Sequence, residues 1–392
     1  MLGAPRKTFP SHSLAPMALA NSRWDLLRYK VRHSGLGSTM RVAYLDFSER
    51  VVTRVAKRFP SVAISPRSIQ IECTTRCNLK CAFCELSYWK EAAVDVTLDT
   101  IKRMVRDLPR LKRVDLTGIG EALMNRDFFP MVEFLKSRGV YVTMNDNFTL
   151  MTEKNARRIL ELGVDHIFLS LDGATKATYE SIRINANFEK VVANAKRLIA
   201  LRRELGKKKP EVKINTVVCL SNYQELPAVV ELAHEIGIGM VVFVNVITFD
   251  NTSGFETVAV KQDVDRKLQE AIRRGRELGV LVKCELFEKL PVQQCDYPWQ
   301  RNFVTYDGYV HPCCHTTQTG DRKAQNSRSF GNLLQQSFDQ LWKGNHYATF
   351  RRKMKQGILP TECAHCPMFV GTRDDSMDAK AATSAPLVQL TR

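Results

Sequence analysis

The 392-residue sequence lacks long apolar runs and is short of acidic residues. No stretch reaches the roughly 18 consecutive apolar residues that a membrane-spanning helix needs, so we predict no transmembrane segment. Asp and Glu total 41 against 58 Lys and Arg, which gives a net charge of +17. This surplus indicates either an anionic partner or simply a solvated basic surface. Apolar residues still make up 44% of the chain, which suffices for a buried core and excludes a disordered protein.

A convincing export signal is also lacking. The segment Ser13–Ala20 ends in Ala-Leu-Ala, like a signal-peptide cleavage site, but its apolar run is short and contains Pro16. The eleven cysteines are an odd number, which is untypical of a secreted disulfide framework. We therefore predict a cytoplasmic protein whose grouped cysteines form metal sites.

From residue 68 to about residue 284, short strand-like segments alternate with longer helical ones. This alternation predicts an α/β fold with a parallel sheet, most simply a partial (β/α)6 barrel like an incomplete TIM barrel. Chemistry in such barrels lies at the C-terminal ends of the strands. After about residue 290 the alternation stops, and a Cys-rich, loop-rich region with one amphipathic stretch, Ser337–Met354, predicts a small metal-stabilised domain.

These patterns divide the chain into four predicted parts. They are a basic N-terminal extension (1–66), the barrel (67–288), a small Cys-rich auxiliary domain (289–370) and a flexible tail (371–392). Within the extension, the stretch from Trp24 to Lys57 is basic and partly amphipathic. Such a segment usually packs its apolar face on the main domain, and peripheral contact with a membrane surface is the alternative.

The first cysteine group directly follows the first predicted strand. Cys77, Cys81 and Cys84 have C-x3-C-x2-C spacing, and three thiolates in a tight loop can each ligate one iron of a cubic cluster. The fourth iron then keeps an open position, which a catalytic metal centre needs. Two alternatives are that Cys73 is the fourth ligand, or that the three cysteines form part of a zinc knuckle.

This loop resembles the hallmark of the radical S-adenosylmethionine (SAM) enzymes, a C-x3-C-x-aromatic-C loop after the first strand of a partial barrel. Cys77, Cys81, Phe83 and Cys84 match every position of it. The resemblance implies that the three cysteines hold a catalytic 4Fe–4S cluster, that SAM binds to its open iron, and that Phe83 belongs to the cofactor site.

A second match lies in Leu116–Met124, after the second predicted strand. It resembles the family's glycine-rich motif, which contacts the methionine amino group of SAM. Gly118 and Gly120 would allow close backbone approach, and Glu121 would supply a carboxylate able to hold an ammonium group.

Further positions resemble the family's cofactor contacts. Ser170 and Asp172 end the fourth strand where relatives reach the ribose or carboxylate of SAM, Arg183 matches a later arginine, and Asn215 is placed for a hydroxyl contact. For Ser170, Asp172 and Arg183 the structural alternative is a turn with a surface ion pair. One departure is Phe148, in a position where relatives often have glycine, and we expect this ring to narrow the substrate pocket.

The second cysteine group comprises Cys295, Cys313, Cys363 and Cys366. With its intervening Gly-x4-Cys and Gly-Asn motifs, this region resembles the SPASM or twitch extension, which carries auxiliary iron–sulfur clusters. Four thiolates would fully ligate one auxiliary 4Fe–4S cluster, and the absence of cysteines after Cys366 favours a single one. Alternatives are Cys314 in place of Cys313, or a zinc ribbon that includes His315.

The resemblance implies that an electron from flavodoxin or ferredoxin cleaves SAM, and that the resulting 5′-deoxyadenosyl radical takes a hydrogen atom from the substrate. Our first hypothesis is a radical SAM oxidoreductase that oxidises or remodels a small molecule such as a sugar or an aminocyclitol. A peptide or protein maturase, or a lipid-modifying enzyme, is the alternative, although residues 1–66 lack the strand-rich pattern of a peptide-recognition domain. A non-enzymatic zinc-binding scaffold is the third hypothesis.

Overall fold

The computed structural model describes Leu27, Tyr29, Val31, Phe255, Thr257, Cys366 and residues 35–59, 64–108, 110–247, 260–285, 290–317, 321–364 and 368–373. Residues 1–20 and Trp24 of the predicted N-terminal extension lie outside the described residues, as does the predicted tail from residue 374.

Nine strands form the main sheet. They are β1 (Ser68–Ile71), β2 (Arg113–Asp115), β3 (Tyr141–Asp146), β4 (His166–Ser170), β5 (Glu211–Val218), β6 (Met240–Asn245), β7 (Leu281–Glu285), β8 (Arg301–Val304) and β9 (Val310–His311). Their order in the sheet is β9-β8-β1-β2-β3-β4-β5-β6-β7. Strands β1 to β7 are parallel neighbours, as the alternation predicts.

The expectation that the alternation ends near residue 290 is wrong for the strands. β8 pairs in parallel with β1, from Ser68↔Arg301 to Ile71↔Val304, and β9 then pairs antiparallel with β8. The C-terminal region therefore begins as an extension of the barrel sheet, beside the strand that leads into the first cysteine group. Four residues that include Arg301 and Asn302 give too weak a pattern to predict this strand.

The helices are α1 (Leu36–Arg58), α2 (Leu98–Met104), α3 (Phe128–Ser137), α4 (Glu153–Leu162), α5 (Lys176–Ile182), α6 (Phe188–Glu204), α7 (Leu226–Ile236), α8 (Lys261–Leu278), α9 (Tyr297–Gln300), α10 (Arg322–Ser327), α11 (Phe338–Lys343) and α12 (Asn345–Gln356). Thr97, Thr152 and Thr175 cap the N-termini of α2, α4 and α5 through side-chain hydrogen bonds. The single amphipathic stretch predicted over Ser337–Met354 is instead two helices, because Gly344 has an extended conformation between α11 and α12.

The two faces of the main sheet differ in polarity. On β4 and β5, Leu169 and Ile214 are fully buried in the main core, whereas Ser170, Lys213 and Asn215 alternate with such residues and are only half-buried. The face opposite the apolar core layer is therefore mixed. Ser170 and Asn215 form a polar part, which we call the polar inner face, beside an apolar cluster that includes Phe168 and Val242.

Helix α1 lies across the N-terminal ends of the strands. Asp46 pairs with Arg113 of β2 at 3.2 Å, and Ser48 accepts a hydrogen bond from Arg67, just before β1. Near its C-terminus, Lys57 pairs with Asp296. The N-terminal segment thus packs on the main domain through α1. In the part of the chain that the structure describes, no helix has the length and apolar character needed to cross a bilayer.

Candidate active site

The first cysteine group forms a tight loop at the C-terminal end of β1. The Cys84 amide donates to the Cys81 carbonyl at 3.0 Å, and the Cys77 sulfur accepts the Leu79 amide at 3.5 Å. Lys80–Cys81 pairs antiparallel with Arg183–Ile184, which fixes the middle of the loop against the segment after α5. The loop is therefore held at the edge of the sheet where barrel chemistry is expected.

The three thiols of this loop influence one another. The pKa of Cys77 is raised to about 11, chiefly by burial and also by the neighbouring Glu121 carboxylate and Cys81 thiol. The pKa of Cys84 is raised to about 12, chiefly by burial and also by Cys81 and Cys77. A metal that binds these thiols would replace their protons, because the thiolate is the form that ligates metals.

Cys73 lies apart from this group. It is almost completely buried in the main core, and burial raises the pKa of its thiol, with smaller effects from the Glu72 and Glu121 carboxylates. Its carbonyl accepts a hydrogen bond from the Asn125 amide. Cys73 therefore contributes to core packing at the base of the cysteine loop.

The glycine-rich motif packs directly against β1 and the cysteine loop. A Cβ atom on Gly118 would lie 2.9 Å from the Cα of Glu72, and one on Gly120 would lie 2.7 Å from the Arg76 carbonyl oxygen. The Glu121 amide also donates to that carbonyl at 2.8 Å. These glycines thus allow the motif to pack closely on β1 and the cysteine loop. The sequence instead predicts that they allow close approach to the cofactor.

Glu121 faces Asp146 in a buried carboxyl pair. One Glu121 oxygen accepts the Asn147 amide at 2.9 Å, and the Glu121 and Asp146 side chains are hydrogen-bonded to each other. Neither Glu121 Oε1 nor Asp146 Oδ2 has another partner in the described structure. Burial, followed by the nearby Asp146 carboxyl, raises the pKa of Glu121, and burial raises that of Asp146. Two buried carboxyls with unsatisfied oxygens form a site that favours a cation.

Asp172 and Arg183 form an ion pair at 2.6 Å, and both side chains are buried, so the expected surface pair is wrong in its location. The other Asp172 oxygen accepts the Val217 amide at 2.7 Å. Arg183 also donates to the Cys81 sulfur at 3.7 Å. Burial opposes protonation of Arg183, but Asp172 and Cys81 together raise its pKa. Asp172 therefore orients a guanidinium toward the cysteine loop.

Ser170 and Asn215 are cross-strand partners at the C-terminal ends of β4 and β5, and both belong to the polar inner face. Phe83 lies half-buried in the cysteine loop, with its ring edge-on to Phe255 at 6.1 Å. These residues lie on the elements where the sequence predicts cofactor contacts.

Phe148 does not narrow an opening, contrary to the expectation from the sequence. It adopts a φ of 59°, in the left-handed region that favours glycine, and its side chain is completely buried in the main core. The Phe148 carbonyl accepts a hydrogen bond from Asn194 of α6. Phe148 therefore occupies a backbone position that favours glycine, and its ring packs into the main core.

The four cysteines of the second group converge. Burial raises the pKa of Cys363, and the thiols of Cys313, Cys366 and Cys295 each raise it further. The Cys366 amide donates to the Cys363 carbonyl at 2.9 Å, which closes the C-x2-C turn. All eleven cysteines of the chain are free thiols.

Cys314 faces a different environment from Cys313. Burial raises the pKa of Cys314, and the charged neighbours that act on it are Arg301 and Asp115 of the main sheet. Cys295 and Cys366 are among the thiols that raise the pKa of Cys313, and its neighbour Cys314 raises it to a greater extent. His315 lies 4.0 Å from the Cys313 sulfur, and burial lowers its pKa to about 4.

Within the described residues, no three Cys, His, Asp or Glu side chains are close enough to hold a single metal ion. The thiols of each group are thus more widely spread than the ligands of one ion. Cys219 is completely buried, and Cys284 packs against the main core, so both act as small hydrophobic residues.

A buried ion pair that connects the barrel to the C-terminal region was missed from the sequence. Arg322 of α10 pairs with Glu72, at the end of β1, at 2.6 Å. The guanidinium also lies over the rings of Tyr306, at 4.5 Å, and Trp89, at 5.1 Å. No local pattern relates two residues 250 positions apart. The one signal in the sequence is a glutamate directly after an apolar strand, which indicates a buried carboxylate that needs a partner.

Family models match two parts of the chain. The Radical SAM superfamily model matches residues 71–233, and the SPASM model, described as an iron-sulfur cluster-binding domain, matches residues 295–367. The chain carries a radical SAM domain and a SPASM domain. It is a radical SAM enzyme, so a 4Fe–4S cluster and SAM are its cofactors, and the SPASM domain implies auxiliary iron–sulfur chemistry. Both matches fall inside the predicted barrel and auxiliary domain, whose boundaries stay predictions.

Curated relatives are similar over most of their own length. The tungsten-containing aldehyde ferredoxin oxidoreductase cofactor-modifying protein of Pyrococcus furiosus is 27% identical over 326 residues, which covers 78% of this chain and 90% of that protein. A probable GTP 3′,8-cyclase of Methanococcus maripaludis is 23% identical over 261 residues, which covers 63% of this chain and 84% of the relative.

Solved radical SAM structures share the fold. Streptococcus suis SuiB bound to S-adenosylmethionine has a TM-score of 0.60 and 16% identity, and the match covers 80% of this chain and 72% of SuiB. Native anSMEcpe with bound AdoMet has a TM-score of 0.57 and 19% identity, over 77% of this chain and 86% of that one.

Proposed function

We propose that this enzyme reductively cleaves SAM and takes a hydrogen atom from a small polar molecule, such as a sugar or an aminocyclitol, which it oxidises or remodels. The observation that carries the proposal is the juxtaposition of the Cys77, Cys81 and Cys84 thiols with the buried, unsatisfied carboxylate of Glu121. Three thiols and one free carboxylate are the donors that a three-ligand cluster and an ammonium group require.

The chain's residues fit the catalytic cofactors. Cys77, Cys81 and Cys84 would hold the cluster, and the Arg183 N–H that points at Cys81 would stabilise its thiolate. Glu121 Oε1 would accept a hydrogen bond from the SAM ammonium group. Together the bound cluster and SAM supply a 5′-deoxyadenosyl radical that takes hydrogen from carbon.

The remaining residues predicted to contact SAM differ in whether their polar atoms are already bound within the chain. Ser170 and Asn215 would offer a hydroxyl and an amide from the polar inner face, and Phe83 would pack beside the cofactor. Asp172 would act by orienting Arg183, because both of its oxygens already have partners within the chain.

For the second site, we propose that Cys295, Cys313, Cys363 and Cys366 hold one auxiliary 4Fe–4S cluster. The mutual influence of their thiols supports this ligand set over one that contains Cys314. A fully ligated cluster has no open iron for substrate, so electron transfer or structural support is its expected role.

The proposed electron donor is flavodoxin or ferredoxin. The net charge of +17 suits the docking of an acidic electron carrier. Eleven free thiols support residence in a reducing compartment, and we propose the cytoplasm.

Two observations bear on the substrate. The half-buried polar side chains of Ser170 and Asn215 support a small polar molecule, and the Pyrococcus relative is named as a cofactor-modifying protein. A peptide substrate is the second candidate, because the shared fold includes SuiB solved with its precursor peptide SuiA and anSMEcpe solved with the Kp18Cys peptide.

The chemistry can be tested on anaerobically purified, reconstituted protein. With dithionite and SAM, wild-type enzyme should form 5′-deoxyadenosine, and Cys77→Ala should abolish its formation because the cluster loses one of three protein ligands. Cys284→Ala is the matched control, since Cys284 packs in the barrel away from both thiol groups, and it should retain activity. Formation of 5′-deoxyadenosine by Cys77→Ala would refute the catalytic assignment.

The auxiliary site has its own measurement. Replacing both Cys363 and Cys366 by alanine should lower the iron content by about half of a two-cluster total, because one of two 4Fe–4S sites is removed. Iron content equal to wild type would exclude these cysteines as cluster ligands. Transfer of deuterium from labelled polyols, aminocyclitols or peptides into 5′-deoxyadenosine would then identify the substrate class.

A further inference from the structure

Helix α1 presents an apolar stripe to the outside of the molecule. Six large side chains recur along one helical face and are exposed: Leu36, Met40, Tyr44, Phe47, Val51 and Val55. Phe47 is 68% exposed, and Met40 and Tyr44 are each 63% exposed. The spacing of three or four residues places them in one row, about 29 Å long at 1.5 Å per residue.

The charges of α1 are segregated to match this stripe. Arg50, Arg54 and Arg58 are exposed and follow Phe47, Val51 and Val55 at a constant offset, so they form a second row beside the apolar one. The two acidic residues of the helix face the barrel: Asp46 pairs with Arg113, and Glu49 lines a small cavity with Arg67 and Trp299. The outward face therefore combines apolar and cationic side chains without a carboxylate.

Neighbouring loops carry charge of the same sign. Lys112, just before β2, and Lys207 and Lys208, before β5, are exposed at the end of the sheet where α1 lies. We propose that α1 docks the enzyme on an anionic lipid bilayer, with the apolar row inserted among the headgroups and acyl chains and the arginines on lipid phosphates. A straight, convex helix can contact a planar surface along its whole length. An antiparallel two-fold contact between two α1 helices would place the arginine rows of both copies on the same side, and their repulsion disfavours that occupant.

This surface lies opposite the active site, because α1 crosses the N-terminal ends of the strands and the cysteine loop follows a C-terminal end. Docking would thus retain the enzyme at a membrane while its active-site edge faces away from the bilayer. A substrate embedded in the same bilayer would not reach that edge.

The test is cosedimentation of the full chain with vesicles of phosphatidylcholine alone or mixed with phosphatidylglycerol. Wild-type protein should bind the mixed vesicles, and added salt should weaken the binding. The R50Q/R54Q/R58Q variant should lose about a hundredfold in partitioning, at roughly fivefold per arginine. The R266Q/R273Q/R276Q variant of α8 removes the same charge from another exposed face and should bind like wild type.

A second variant separates insertion from charge. F47Q/V51Q should also release the enzyme from mixed vesicles, with unchanged thermal unfolding, because both side chains are exposed. Failure of wild-type protein to bind mixed vesicles would overturn the proposal. An equal loss of vesicle binding in the α8 variant would also overturn it. The same holds for a dimer, seen by light scattering, that the F47Q/V51Q substitutions dissociate while wild-type protein binds no vesicles.

Discussion

At the scale of single residues, Glu121 combines an unfavourable environment with a predicted function. Its carboxyl is buried and hydrogen-bonded to that of Asp146, and its Oε1 has no other partner within the described structure. Burial raises the pKa of both carboxyls above their values in an unfolded chain. This pair therefore stabilises the cofactor-free fold only while protonated, and that contribution is lost as the pH rises through the raised values.

Glu121→Gln should separate binding from stability. It removes the negative charge that we propose for the SAM ammonium group, so SAM affinity should fall by tenfold or more, as measured by equilibrium dialysis. Urea unfolding of the cofactor-free variant at pH 7 should give a free energy at least equal to that of wild type, and the loss of stability between pH 5 and pH 7 should be smaller. Glu133→Gln, at an exposed site on α3, should change neither quantity. Unchanged SAM affinity in Glu121→Gln would contradict the assigned role.

Among the loops and strands, the glycine-rich motif matters because it holds the cysteine loop in place. Gly120 has no room for a Cβ atom against the backbone carbonyls of Thr74 and Arg76. Only glycine lets the loop after β2 rest directly on the loop that carries the thiols.

Gly120→Ala should therefore cost about 3 kcal/mol in the free energy of unfolding and lower the iron bound at the first site. Gly139→Ala is the matched control: its φ of 70° also disfavours alanine, at about 1 kcal/mol, but a Cβ atom there meets nothing. Thermal unfolding and iron analysis of both variants give the comparison. Equal losses in the two variants would mean that backbone conformation, and not contact with the cysteine loop, governs Gly120.

The elements also show where sequence reasoning succeeds and fails. The alternation predicts β1 to β7 because each strand is an apolar run bounded by turns. Gly163, Gly237 and Gly279 end the helices before three of these strands in the left-handed conformation. β8 escapes prediction because its place beside β1 is a tertiary pairing that four residues do not encode locally. The inward packing of Phe148 likewise depends on a core that its own turn does not reveal.

For the whole molecule, the buried pair of Arg322 and Glu72 connects the SPASM region to the barrel at the base of the cysteine loop. Glu72 also accepts hydrogen bonds from the amides of Ile119 and Tyr306, so one carboxylate contacts both regions. The cysteine spacing predicts both thiol groups, yet it holds no information about how the two regions are joined.

Arg322→Met should destabilise the enzyme by about 3–5 kcal/mol, because it leaves the Glu72 carboxylate buried without its cation. The double variant Glu72→Gln with Arg322→Met should recover part of that loss, since no buried charge then remains unpaired. Urea unfolding of the two single variants and the double variant measures the coupling free energy. Strict additivity of the two single losses would show that the pair contributes no direct interaction.

The pairing of β8 with β1 has a consequence for dissecting the protein. A fragment cut near residue 288 would deprive β1 of a hydrogen-bonded neighbour and leave an open strand edge directly before the catalytic thiols. Such a truncation should yield aggregated material instead of a minimal catalytic unit. Chimaeras that exchange C-terminal regions between relatives should therefore carry β8 and the first half of the chain from the same parent.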